Sequence, residues 1–277
     1  MISLAVSAMN QPGISETHTL GMAEMGYKGL SEQWLMRRAG DLHWRLIAAA
    51  MGQQSAVFTC PAGEPLYAAF CATSLQLSKP ELPRLGAELA LHGSLHRVGT
   101  SRLGCLVRIT VNRQYVGRLV LVSTFVGRSD LSSNRSIVRR APRVLAMPAE
   151  TSEIVSRVSG EAARIARMAS QRLLDVPCDH AVKLLPCPAV DFNAAGLMYF
   201  PSFSALCDRA TFEVFRGADM VAARHVVHLG NVEPGEAVHI GLRRSARGVE
   251  AAIHGDDARL LTVMRIRLTS TPPTRTT

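Results

Sequence analysis

Hydrophobic positions along this chain change their period. From Leu30 to Ile47, Leu30, Trp34, Leu35, Leu42, Leu46 and Ile47 are spaced for one helical face. Ser31 stands near the N-cap, Glu32 in the first turn, and Gly52 marks a stop. The period then drops to two, and strands are predicted at 66–77, 88–98, 102–111 and 115–126. Alternation is cleanest in the third, where Leu103, Cys105, Val107, Ile109 and Val111 share a face against Arg102 and Arg108. The fourth carries Leu119, Val120, Leu121 and Val122, apolar on both faces as in a central strand. Residues 127–150 lose periodicity, hold Pro142 and Pro148, and read as an extended connector. An amphipathic helix over 151–176 sets Ile154, Val155, Val158, Ala162, Ile165, Ala169 and Leu173 opposite several arginines, as a linker helix lying on a sheet does.

The pattern then repeats. Residues 29–44 (GLSEQWLMRRAGDLHW) and 196–212 (GLMYFPSFSALCDRATF) both open with Gly-Leu, continue as an apolar helix, and place Asp41 or Asp208 twelve positions after the glycine. In the second copy Phe203, Leu206, Cys207, Ala210 and Val214 share a face, and Pro201 is tolerable only in the first turn. A strand at 180–185 precedes this helix, and strands at 224–229, 237–243, 249–254 and 260–268 follow it. In the last, Met264, Ile266 and Leu268 face in, while Arg265 and Arg267 face water. The expected organisation is a disordered N-terminus (1–19), a first unit (20–126), a connector with its helix (127–176), a second unit (177–269) and a disordered tail (270–277). The fold class is α+β, each unit an antiparallel sheet wrapped around a central helix.

With 277 residues and 47% hydrophobic content, the chain can build one large or two medium cores. No apolar run approaches the roughly 18 residues of a membrane span. The N-terminus lacks the basic and apolar blocks of a signal peptide, and six scattered cysteines show no metal-ligand spacing. A reducing cytoplasm, no membrane association and no structural metal are expected. The net charge of +9 favours polyanionic partners. A basic helix and a zinc finger are missing, and aromatic content is only 5%, which argues against nucleic acid. Arg128, Arg135, Arg139, Arg140 and Arg143 instead cluster in the connector, either to meet coenzyme A phosphates or an acidic carrier protein, or as a solvated loop.

A long helix wrapped by a sheet, twice in one chain, resembles the double hotdog fold. The second copy's DFNAAGLMYFPSF is similar to the D-x-N-x-x-G-x-x-Y-F segment of hotdog acyl-CoA thioesterases. The first copy, with LYAAF downstream and LVSTFVGRSDLSSNRS after the fourth strand, resembles the polyketide-biosynthesis family typified by the bifunctional acyltransferase/decarboxylase of leinamycin assembly. That resemblance implies a malonyl- or methylmalonyl-CoA substrate, with coenzyme A entering as substrate thioester and no bound cofactor. It implies loss of CO2 and transfer of the acyl group to an acyl carrier protein. It makes Tyr67 the match to the family's acyl-carrying or catalytic tyrosine. A hotdog thioesterase or dehydratase-like enzyme is the alternative, and a non-catalytic carrier-binding hotdog the third reading. Whether the chain forms a homodimer stays open.

The residues set out the candidate chemistry. Amides in the turn at Gly29, Leu30 and Ser31 would polarise a thioester carbonyl, or Gly29 only shapes the turn. Gly196 stands in the equivalent turn of the second copy. Tyr67 is either a nucleophile or hydrogen-bond donor, or a packed strand residue. Asp191 and Asn193 are either a catalytic carboxylate with its neighbour or an Asx-type turn. Ser123, Thr124 and Asn134 line an acyl pocket or bond to backbone. Asp41 and Asp208 are expected to fix local hydrogen bonds.

Overall fold

The computed structural model describes residues 13–130, 132–143, 148, 151–217, 219–246 and 248–269. Residues 1–12 and the tail 270–277 lie outside the described residues. In chain order the elements are β1 (Gly13–Thr19), β2 (Met25–Gly26), β3 (Gly29–Leu30), α1 (Glu32–Ala50), β4 (Phe58–Thr59), β5 (Pro65–Leu77), β6 (Glu88–Val98), β7 (Arg102–Val111), β8 (Gln114–Arg128) and β9 (Ile137–Arg139). There follow α2 (Glu153–Ser170), β10 (His180–Leu184), α3 (Pro188–Asp191), α4 (Phe200–Phe215), β11 (Met220–His228), β12 (Val238–Ser245), β13 (Gly248–Gly255) and β14 (Leu260–Thr269).

Ten strands form one antiparallel path in the order β1-β6-β7-β8-β5-β11-β14-β13-β12-β10, with β4 on β5 and β9 on β8. The two units meet where β5 pairs with β11, from Ala72↔Val227 to Gln76↔Ala223. α1 buries Leu35, Met36, Leu42, Leu46 and Ile47 against the first half of the sheet. α4 buries Phe203, Leu206, Cys207 and Ala210 against the second. α2 lies on the opposite face, its Val155, Val158, Ala162 and Ile165 covering Ala72, Val120, Val122 and Val227 across the junction.

A bulge between Phe70 and Ala72 decides what β5 shows to each side. Leu66, Ala68 and Phe70 belong to the α1 core before it; after it, Leu75 does, while Ala72 turns to α2. One extra residue flips every later side chain to the other face.

The structure departs from expectation at three places. Residues 13–19, expected in a frayed terminus, form β1 and pair with β6 over seven residues. In GISETHT only Ile14 is apolar and packs on the core, too little for hydropathy to show a strand; Glu16 holds it to α1 through Arg38 at 2.6 Å and through Arg45. The connector's first residues extend β8 to Arg128, and residues 137–139 pair with it as β9. The second helix begins at Phe200, so Gly196 (φ 69°) stands in the loop ahead of it rather than at its start.

Candidate active site

The chain enters α1 through the two-residue β2–β3 ladder. Gly29 sits at φ 125°, a conformation that favours glycine, and a Cβ there would press on the Pro80 carbonyl at 3.3 Å. The Ser31 amide donates to the Glu24 carbonyl (2.8 Å), and the Trp34 amide donates to Ser31 Oγ (3.3 Å). Ser31 therefore spends its amide and hydroxyl on the cap. The first-turn amides of Glu32 and Gln33 have no intrahelical acceptor and carry the positive end of the helix dipole.

Beside this turn lies an open cavity of about 240 Å³. The run from Gly26 to Gln33 lines one side, Leu35, Leu75 and Leu77 the apolar end, and Asp208, Asp219, Met220 and Val221 of the second unit the far wall. Three charged groups from both units meet here. Arg224, on β11, is 1% exposed and lies between Glu32 and Asp208. Its Nη2 donates to Asp208 Oδ1 at 2.6 Å, and its Nε lies 2.8 Å from Glu32 Oε1. Burial works against the Arg224 charge, but the two carboxylates outweigh it and hold the guanidinium above its ordinary range. Burial raises the Glu32 carboxyl above the usual carboxylate range; Arg224 offsets part of that, and Asp208 on the same guanidinium adds to it.

Of this trio the sequence pointed only to Asp208, and only for a local hydrogen bond. Glu32 was visible only as a first-turn acid and Arg224 only as a strand residue. They are 192 positions apart, and no local pattern links them. Asp208 does fix a hydrogen bond, across α4 to β11, whereas Asp41 pairs within α1 with Arg38 (3.5 Å) and Arg45 (3.1 Å).

The equivalent position at the start of α4 is filled. Counted from the caps Ser31 and Tyr199, Glu32 corresponds to Phe200, and Asp208 to Gly40. Phe200 packs on Phe70 (ring centroids 4.3 Å apart) and Tyr199 (5.2 Å), and a Cβ on Gly40 would come within 2.9 Å of its ring. Tyr199 stacks on Trp44, whose Nε1 donates to the Ala68 carbonyl. Rings thus occupy the place that charges hold at the other end.

The loop before α4 is tied down by the residues singled out there. Asp191 Oδ2 accepts from the Cys187 amide (2.8 Å), and Asn193 Oδ1 accepts from the Ala195 (3.0 Å) and Leu197 (3.2 Å) amides. Asn134 is buried; its Nδ2 donates to the Gly196 and Val232 carbonyls, both at 2.8 Å, and its Oδ1 accepts from Arg128 (2.6 Å). Arg128 also donates to the Ala195 carbonyl. Asn134, Asn193 and Gly196 are brought together, with their hydrogen-bonding capacity directed at one another and at backbone. Other connector arginines are also engaged: Arg135 pairs with Glu236 (3.1 Å) and Arg140 with Glu64 (2.8 Å).

Tyr67 lies elsewhere. Eight residues separate it from Leu75 on β5, about 26 Å at ~3.3 Å per residue. It alternates with Leu66 and Ala68 and so faces away from α1. Thr124 Oγ1 donates to the Ser101 carbonyl (3.0 Å). Ser123 Oγ lies 2.7 Å from His43 Nε2 in the core under α1. Burial lowers the His43 imidazole to about 3, so it is neutral there.

No protein-family model and no curated protein matches this sequence. Solved structures do match in fold. The chain is similar to the 12:0-ACP thioesterase from Umbellularia californica (TM-score 0.67, 9% identity, covering 93% of this chain and 97% of that one). It is also similar to an acyl-ACP thioesterase from Bacteroides thetaiotaomicron VPI-5482 (0.64, 9%, 93% and 98%) and to a MaoC-like dehydratase from Phytophthora Capsici (0.51, 13%, 96% and 98%). At such identities the likeness establishes the fold, a double hotdog in which each half of the sheet wraps one helix.

Proposed function

We propose that this chain hydrolyses an acyl thioester in the cavity at the start of α1. One observation carries the reading: a largely buried carboxylate with a raised pKa, Glu32, lines a cavity beside the first-turn amides of its own helix. Those amides polarise the thioester carbonyl and stabilise the oxyanion formed on it. Glu32 takes the proton from the attacking water, and burial, by raising its carboxyl above the usual carboxylate range, makes it a stronger base than an exposed glutamate. Arg224 and Asp208 hold Glu32 in place. The bond between carbonyl carbon and sulfur breaks, the leaving thiolate takes that proton from Glu32, and a free acid leaves. Solved acyl-ACP thioesterases of the same fold support a thioester of an acyl carrier protein, or of coenzyme A, as the substrate class.

Electrostatics bear on the acyl group. Glu32, Asp208 and Asp219 line the cavity against Lys28, and Arg224 beneath is already held by two carboxylates. An uncharged acyl group fits that balance better than a malonyl carboxylate. Decarboxylating transfer from (methyl)malonyl-CoA to a carrier protein remains the second reading, supported by the first copy's resemblance around 29–44 and LYAAF.

Intact-mass analysis after incubation with acetyl-, propionyl-, malonyl- and methylmalonyl-CoA, each with and without a carrier protein, separates the two. Hydrolysis releases free acid and coenzyme A from the uncharged thioesters. An acylated carrier lighter than the malonylated form by one CO2 establishes transfer instead. Glu32→Gln is expected to lower turnover about 10²–10⁴-fold while Tyr67→Phe stays near wild type; the reverse ranking sinks the assignment of Glu32.

A further inference from the structure

A second cavity, about 210 Å³, opens on the other face of the sheet beneath α2. Four neighbouring strands contribute one cross-strand row there: Val120 opposite Ser74, Ser74 opposite His225, and His225 opposite Arg265. Arg118 and Gln76 stand opposite each other next to it, and α2 closes the site with Arg157 and Glu161. Next to them, Ala72, Val120, Val122 and Val227 give α2 an apolar surface. Packing alone gives no reason for a polar row here, and burying one costs free energy unless its groups find partners.

One group lacks a hydrogen bond: His225 Nε2 is buried, with Glu161 Oε2 only at ion-pair distance, 3.6 Å. The cations outnumber the acids: Arg118, Arg157 and Arg265 line the cavity against Glu161. Arg118 leans on neutral Gln76 (2.7 Å), Arg265 on Glu161 (3.0 Å), and Arg157 on Glu153 (2.7 Å), outside the cavity lining. Arginines from three different elements line one hollow, and guanidinium groups offer the planar, multidentate donors that suit oxyanions.

We propose that this cavity is an anion site that takes a phosphoryl group, with Arg118, Arg157 and Arg265 as its donors and Glu161 as the resident carboxylate that the ligand displaces. It is separate from the thioester site. Leu75 and Leu77 line the α1 cavity, while Ser74 and Gln76 of the same strand line this one, so β5 stands between them. The occupant is a second molecule, whatever reaction the first cavity performs.

Calorimetric titration of the full chain with inorganic phosphate and with adenosine 3′,5′-bisphosphate tests this. Arg118→Ala or Arg265→Ala is expected to weaken binding about tenfold or more. Glu161→Gln should tighten it severalfold, because the competing charge is gone; a purely structural Glu161 would not do this. That variant also keeps the question answerable if an arginine variant fails to fold. Equal affinity for both probes assigns the site to phosphate itself, and tighter binding of the bisphosphate assigns it to a nucleotide. No binding of either probe to the wild type overturns the proposal. So does binding that survives both arginine changes or is lost in Lys28→Ala, which would place the ligand in the other cavity.

Discussion

His43 and His228 are held neutral inside the protein. Burial lowers the first to about 3 and the second to about 4, and both ring nitrogens of His228 are buried without partners. A histidine whose folded pKa lies below its unfolded value near 6.5 contributes stability above that pH and loses it as pH falls toward the folded pKa. The window therefore opens below 6.5, closing near 4 for His228 and near 3 for His43. Between pH 7 and 5 each residue should remove about 2 kcal/mol of stability. Urea midpoints measured at pH 7, 6 and 5 check this: His228→Gln should flatten the dependence, and an unchanged slope would refute it. At this scale the sequence was partly legible. Ser31 as a cap follows from residue type and place, but a histidine's neutrality depends on neighbours the local sequence does not name.

Between elements, the contact of α1 with α4 turns on a missing side chain. Gly40 lies mid-helix, where glycine costs about 1 kcal/mol relative to alanine. The compensation is Phe200, which packs into the space a Cβ would take. Gly40→Leu is expected to destabilise by about 1–3 kcal/mol through overpacking. Combined with Phe200→Ala it should cost less than the two single changes together, a coupling that chemical denaturation of the four proteins measures. Most strands and all three long helices were legible from periodicity, because a half-buried element must repeat its apolar face. β1 was not, since an edge strand held by Glu16 and its arginines needs no apolar face. The facing of Tyr67 was not either, because it depends on where β5 falls in the sheet.

Across the whole molecule, Arg224 ties the two units through Glu32 at the start of α1 and Asp208 in α4. Removing the guanidinium leaves the largely buried Glu32 carboxylate without its counter-charge, beside a half-exposed Asp208. Arg224→Met is expected to cost about 3–5 kcal/mol. Adding Glu32→Gln and Asp208→Asn to it should recover part of that loss, since the uncompensated charge is then gone. Thermal unfolding of the single and triple variants measures both, and a triple variant no more stable than the single would count against the clamp.

What the amino-acid order determined alone is the set of amphipathic segments, their repetition, and hence two helix-and-sheet units, because burial imposes its period on neighbouring residues along one chain. Which of the two equivalent helix starts stays open was decided only in three dimensions. There Phe200 and Gly40 close one end with rings, while Glu32, Arg224 and Asp208 keep charge beside a cavity at the other. Pairing of groups nearly two hundred residues apart depends on how strands stack across the β5–β11 junction, and no periodicity along the chain encodes that.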